Sequence, residues 1–429
     1  MSNMILKNCK TIDNQTKNII IENGKIESIK KTLLASDMTS DEVIDIKDNI
    51  VIPGMIDPHV HFRDPGLTYK EDWKSGSQAA AHGGYTTVID MPNTKPQTDT
   101  LKNFIEKKRI ALKKSVVDFG LQAGVKSDKD VQEILEEKPA SYKIFMDLYD
   151  DNQLREMFRS VARTNKPLCL HCEDKTIIKN NMEHLKKNES TYTNTKAYSY
   201  ARSGLAEIIS VKKAIEYTLE NKQHIHLCHV STRQSLELVD AYKNKAKISL
   251  EVTPHHLFLT NAVYDSYGVK AKTNPPLRNV DYNVDDDYLD EFDCVATDHA
   301  PHTLEEKQKD TWSSAAGIPG LEVTMKLLLT LVNKRKLSLK QLISLTSKRA
   351  TEIFDIKNKG KIAEGYDADL TVLDLKQEGT ISVDKFYTNA KYTPFEGCKY
   401  VGSNIMTINR GTLIAEYDEV YENECRYIY

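Results

Sequence analysis

The segment Asp57-Pro58-His59-Val60-His61 carries the first candidate chemistry in the chain. Side chains two apart on a strand share a face, so His59 and His61 can grip one metal ion if the segment is extended. The pattern alone says little. With 12 histidines in 429 residues, about 0.3 His-x-His pairs arise by chance, and His224-Ile225-His226 is a second one. Three further candidates close other apolar runs: His171 after Leu168-Cys169-Leu170, His229 after Leu227-Cys228, and Asp298 after Ala296-Thr297. Any one such histidine could be a hydrogen-bonded structural residue; candidates at four strand ends favour a shared site. Imidazole and carboxylate without thiolate suit zinc or another divalent transition ion in an open, catalytic centre. Asp298, a carboxylate at the metal edge, is the candidate general base.

Lys143, in Ser141-Tyr142-Lys143-Ile144-Phe145-Met146, is the unusual residue of another apolar run. An inward ammonium beside metal cations would be desolvated and repelled. Carbon dioxide added to the amine would make a carbamate anion able to bridge two cations. The alternatives are a lysine reaching outward to solvent, or a bridge from Asp147, Asp150 or Asp151 just downstream.

These residues need a scaffold that brings strand ends together. Short apolar runs alternate with helical patterns from about 51 to 354: Val51-Ile52-Pro53, then 86–91, 117–121, 142–146, 168–171, 224–230, 248–252 and 292–297. Eight such runs predict an α/β fold, a (β/α)8 TIM barrel whose strand ends converge on one mouth. Leu154, Met157, Phe158 and Val161 recur at helical spacing, and Leu321 to Val332 carries a longer stripe, so both predict outer helices. Residues 1–50 and 355–429 read as strands and turns, which predicts one composite β domain, a small β-sandwich, beside a barrel of 51–354.

The remaining composition narrows the partners. A balance of 59 basic against 62 acidic residues gives a net charge of −3, which favours neither nucleic acid nor anionic lipid. No apolar run is long enough to span a membrane. Seven cysteines, an odd number, argue against a disulfide scaffold and for a cytoplasmic location. Cys169 and Cys172 lack a second pair for a zinc site and read as small buried residues. The Lys-rich stretch from His184 to Lys196 reads as a solvated loop or helix, and His224, His226, His255 and His256 as core or strand packing.

Several segments together resemble a known family: His59-Val60-His61-Phe62-Arg63-Asp64-Pro65-Gly66, Met91-Pro92-Asn93-Thr94, His171-Cys172-Glu173-Asp174, His229-Val230-Ser231-Thr232, Asn274-Pro275-Pro276-Leu277-Arg278, Thr297-Asp298-His299-Ala300-Pro301-His302, Gly317-Ile318-Pro319-Gly320 and Gly365-x-Asp367-Ala368-Asp369-Leu370. In order, over almost the whole chain, they are similar to the dihydroorotases of the amidohydrolase superfamily. The resemblance implies reversible, zinc-dependent cyclisation of N-carbamoyl-L-aspartate to L-dihydroorotate in pyrimidine synthesis. It implies two zinc ions: His59, His61 and Asp298 on the first, His171 and His229 on the second, N-carboxylated Lys143 between them. Arg63, Asn93 and His302 match residues for the substrate carboxylate, and Asn274 one that contacts the ring. The only partner it requires is the small-molecule substrate; a homo-oligomer or an association with aspartate carbamoyltransferase is compatible with it.

Two features separate this reading from its neighbours. A guanidinium fork suits a carboxylate bidentately, and the ring carboxylate of dihydroorotate is absent from hydantoin and allantoin. The alternative for Arg63 is a surface ion pair with Asp64 or Glu71, and for Asn93 a turn after Pro92. A non-catalytic homologue would have lost ligands, whereas every position here is filled. The segment Arg202-Ser203-Gly204-Leu205-Ala206-Glu207 departs from the Arg-Pro-x-x-Ala-Glu of many relatives.

Overall fold

In the computed structural model, residues 3–37, 42–187 and 189–429 are described. The N-terminal segment supplies β1 (Met4–Lys10), β2 (Thr16–Glu22), β3 (Lys25–Lys30), β4 (Glu42–Asp45) and β5 (Ile50–Pro53). Eight strands follow: β6 (Met55–Val60), β7 (Tyr85–Asp90), β8 (Asp118–Gly124), β9 (Ser141–Phe145), β10 (Leu168–His171), β11 (Ile225–Leu227), β12 (Ile248–Val252) and β13 (Cys294–Val295). The C-terminal segment adds β14 (Leu370–Thr380), β15 (Lys399–Asn409), β16 (Thr412–Glu416) and β17 (Glu419–Val420).

Strands β6 to β13 pair in chain order in one parallel sheet. Its two edges meet at a parallel bridge between Val60 and His299, where the His61 N–H donates to the His299 carbonyl at 2.9 Å. The sheet thus curls into the expected barrel. Helices cover it because their apolar stripes have nowhere else to go. Asp151–Ala162 starts at Asp150, whose side chain accepts from the Gln153 N–H, and buries Leu154, Phe158 and Val161. Leu321–Asn333 buries a broader stripe. Each large apolar side chain removed from water contributes about 1.5–3 kcal/mol.

The two ends of the chain share a second sheet of nine strands, ordered β17-β16-β15-β14-β5-β1-β2-β3 with β4 paired to β1. The run Val51-Ile52-Pro53 belongs here and not to the barrel: β5 lies antiparallel to β14, with Pro53 opposite Leu370. A short apolar run does not reveal which sheet it joins. The break falls at Gly54, where an added Cβ would lie 2.3 Å from Thr86 Oγ1, and the first barrel strand starts one residue later.

The C-terminal residues reach the barrel's opposite end. Phe119, near the start of β8, donates its N–H to the Arg426 carbonyl and accepts from the Ile428 N–H. Of the Lys-rich stretch, residue 188 lies outside the described residues; its flanks form the end of helix Lys175–Leu185 and the short helix Glu189–Tyr192. Among the described residues, no helix is long and apolar enough to cross a membrane.

Candidate active site

His59, His61, Arg63, Asn93, His171, His229, Asn274, Asp298 and His302 all line one cavity of about 310 Å³. It opens at the C-terminal ends of the barrel strands, where loops can change without disturbing the strand core. Lys143 alone among the expected residues lies beneath its floor, 2% exposed. Arg63, His229 and Asp298 have φ of 63°, 37° and 46°. Such left-handed backbone costs of order 1–3 kcal/mol per residue and persists where the surroundings impose it.

Three atoms converge at one end of the cavity. Asp298 Oδ1 stands 3.0 Å from His61 Nε2 and 3.2 Å from His59 Nε2, and the two imidazole nitrogens are 3.3 Å apart. The other ring nitrogens are committed as donors, His61 Nδ1 to Asn93 Oδ1 at 2.7 Å and His59 Nδ1 to Glu251 Oε1. Both Nε2 lone pairs therefore face a carboxylate oxygen, an arrangement that a proton or a cation between them relieves. Atoms bound tetrahedrally at zinc distances of about 2.0–2.2 Å stand about 3.3–3.6 Å apart, so the triangle needs to open by only about 0.3 Å to hold one ion. Burial pushes His61 down to about 4 despite the pull of Asp298. The Asp298 carboxyl would rise on burial, but His59 and His61 hold it well below the usual range.

A second pair faces the same space. His171 Nδ1 and His229 Nε2 are 3.1 Å apart, and His171 Nε2 donates to Glu173 Oε2 at 3.0 Å. His171, with Nε2 committed to Glu173, thus turns its Nδ1 lone pair toward His229 Nε2, while His229 Nδ1 is buried without a hydrogen-bond partner among the described residues. Lys143 points inward, with Nζ 2.9 Å from the Cys228 Sγ that immediately precedes His229; the solvent-reaching alternative does not hold. Asp150 caps helix Asp151–Ala162, and Asp151 pairs with Lys213 at 3.2 Å, so neither is a bridging group. Asp147 is engaged by Arg202 at 2.9 Å. Lys143 occupies an interior strand position because β alternation sends its neighbours Tyr142 and Ile144 outward into the helix layer.

Another part of the lining is cationic. Arg63 is buried, and among the described residues no carboxylate forms an ion pair with it. Its Nε donates to the Pro301 carbonyl at 3.2 Å and its Nη2 lies 3.2 Å from His302 Nε2. The alternative of a surface pairing fails: Asp64 takes Lys114 at 2.7 Å, and Glu71 is held by Ser75 and Thr388. Burial, with Arg63 and Lys70 nearby, pushes His302 down to about 2. Asn93 spends its oxygen on His61, which leaves its amide N–H groups for the cavity. Asn274 Oδ1 accepts from Tyr198 Oη at 2.5 Å, with the same consequence.

Four buried acids that sequence reasoning missed hold these groups in place. Asp57 accepts from the His59 N–H at 3.0 Å and Thr297 Oγ1 at 2.5 Å, pinning β6 to the loop that carries Asp298; burial raises it to about 7. Glu173 is gripped by Arg202. Burial would raise its carboxyl, yet Arg202 and His171 bring it down to about 2. Glu207 accepts from Ser231 and Thr232 and pairs with Arg278 at 3.2 Å, so the departing Arg202-to-Glu207 segment still braces the His229 loop. Glu251 accepts from His59 and from the His229 N–H at 3.1 Å. The legible signal was Ser249-Leu250-Glu251, polar at alternate positions of a barrel strand.

The amidohydrolase family profile matches residues 50–414, and the chain belongs to the amidohydrolase family, whose members generally use a metal. Its branch of that family is the dihydroorotases. It is 62% identical over 429 residues, all of both chains, to a dihydroorotase of Methanosphaera stadtmanae. It is 44% identical over 430 residues to a dihydroorotase of Methanothermobacter thermautotrophicus, covering all of this chain and 97% of that one. Two similar solved structures carry other names. An L-hydantoinase (dihydropyrimidinase) from Arthrobacter aurescens superposes with TM-score 0.92 at 30% identity, covering all of both chains. A dihydropyrimidinase from Brevibacillus agri gives TM-score 0.90 at 25%, covering 99% of this chain and 98% of that one.

Proposed function

We propose that the chain is a dihydroorotase, interconverting N-carbamoyl-L-aspartate and L-dihydroorotate, and that its site holds two zinc ions. The observation that carries the reading is Arg63: a buried guanidinium that forms no ion pair with a carboxylate among the described residues, in one cavity with the convergent His59, His61 and Asp298 and the pair His171 and His229. A buried charge left unpaired is costly, and a substrate carboxylate supplies what the protein withholds. The fold is shared with hydantoinases, so fold does not discriminate; their ring substrates bring no carboxylate to Arg63.

His59, His61 and Asp298 would hold one zinc, His171 and His229 the other, with Lys143, N-carboxylated, between them. When bound, the metal supplies an acidified water and a Lewis acid for the ring amide carbonyl. The rest falls to side chains. Arg63 donates its fork to the ring carboxylate, aided by the amide of Asn93 and by neutral His302. Asn274 offers its amide N–H to the ring. Asp298 accepts the proton of the attacking water and returns it to the ring nitrogen as the amide C–N bond breaks; in ring closure the same oxygen works in reverse. Arg63 and Asp298 line the same cavity, so holding the ring carboxylate at Arg63 would set the reacting carbonyl by position.

The reaction belongs in the cytoplasm on this proposal, where seven free cysteines are at home. The test is a parallel assay of ring opening with dihydroorotate, dihydrouracil and hydantoin. Turnover of dihydroorotate alone supports the assignment; preference for hydantoin refutes it.

A further inference from the structure

We infer that Glu251 is a positioning residue that ties both halves of the metal cluster to one buried carboxylate, and that His226 fixes it in place. The inference rests on the two-metal reading above and deepens it. Glu251 sits on β12, 1% exposed, behind the cavity wall and outside the cavity itself. Oε1 accepts from His59 Nδ1 and from the His229 backbone N–H at 3.1 Å. Oε2 accepts from His226 Nε2 at 3.0 Å. His226 in turn meets Ser249 Oγ through Nδ1 at 2.9 Å, because β11 and β12 set His226 opposite Ser249.

One carboxylate thus serves two tasks. By taking the Nδ1 proton of His59 it selects the tautomer whose Nε2 lone pair faces Asp298, and it makes that nitrogen more basic. By taking the His229 N–H it anchors a backbone held at φ 37°, which aims His229 Nε2 at His171. The first task belongs to the cluster of His59, His61 and Asp298, the second to the pair His171 and His229. Its oxygens also lie within 4.8 Å of ligand atoms of Cys228 and Cys294, but three donors already occupy them, so Glu251 orients ligands and does not bind metal. The pair His224 and His226 therefore divides: His226 is the back of this chain of hydrogen bonds, whereas His224 only meets Ser249 at 3.1 Å.

Chelator competition on Glu251→Gln and His226→Gln decides it, with the melting temperature of the metal-free proteins as the check on folding. Glu251→Gln keeps an acceptor but loses the charge. It should bind both zinc ions about 10- to 100-fold more weakly, with kcat falling and KM for dihydroorotate nearly constant. His226→Gln, which still donates to Glu251 but loses Ser249, should show a smaller loss at both ions. If Glu251→Gln does not fold, His226→Gln carries the test alone. Wild-type zinc affinity in a folded variant, or a loss confined to one ion, overturns the inference. A wild type that binds two zinc ions and ignores dihydroorotate would overturn the proposed function instead.

Discussion

At Arg63 the chain leaves a guanidinium buried, with Nε on a backbone carbonyl and no ion pair to a carboxylate among the described residues. On the proposal that this fork meets the substrate, Arg63→Lys keeps the charge and loses the bidentate geometry. It should cost about 2–3 kcal/mol of transition-state binding, roughly 30- to 150-fold in kcat/KM for dihydroorotate. Steady-state kinetics in both directions check it, and a loss under threefold would contradict the role. Asp298 makes the complementary prediction. Asp298→Asn removes the proton acceptor and one ligand, so a folded protein should turn over at least about 100-fold more slowly. Near-normal turnover would dismiss it as the base. Much of this was visible in the sequence, because His59, His61, His171, His229 and Asp298 close apolar runs and a barrel gathers strand ends. The direction of Lys143 was not. A strand's two faces are distinguished only by what packs on each, and in Tyr142-Lys143-Ile144 both neighbours read as core.

Among the elements, β11, the residue His224 just before it and the short helix Pro254–Phe258 carry imidazoles, buried or half-buried, whose protonation is tied to folding. Burial pushes His224 down to about 3 and His256 to about 4, and His61 and His302 behave alike. Unfolded imidazoles take up protons near 6.5, so the unfolded state binds more protons below that pH and stability falls with it. Asp57, raised to about 7, and His226, raised by Glu251 despite its burial, work in the opposite sense and are outnumbered. Urea unfolding of metal-free protein should show a lower midpoint at pH 5 than at pH 7.5; an equal or higher midpoint would contradict the balance. The outer helices were legible from their 3.6-residue stripes. The end of β5 was not, since Val51-Ile52-Pro53 suits either sheet and only the closeness of Gly54 to Thr86 separates them.

Across the whole molecule, one buried ionic cluster joins the terminal sheet to the base of the barrel. Lys359 donates to Asp118, which opens β8, at 2.8 Å and also to Asp369, which precedes β14. Arg410 adds a bond to Asp118 at 3.2 Å. Lys359→Met leaves two carboxylates buried with too little positive charge and should destabilise by about 3–5 kcal/mol, read as a lower denaturant midpoint. A change below 1 kcal/mol would show that the cluster is not what binds the two sheets. None of these distant pairings could be read from the sequence, because Asp118 and Lys359 are 241 positions apart and nothing local marks them as partners. The same scaffold serves enzymes named for other cyclic amides, so what the molecule does is decided inside the cavity.

Metal analysis joined to a dihydroorotate assay bears on that most directly. Purified protein should carry two zinc ions per chain, convert dihydroorotate reversibly, lose both properties on chelation and regain both when zinc is restored. A sample replete with metal, folded and inert toward dihydroorotate would contradict it.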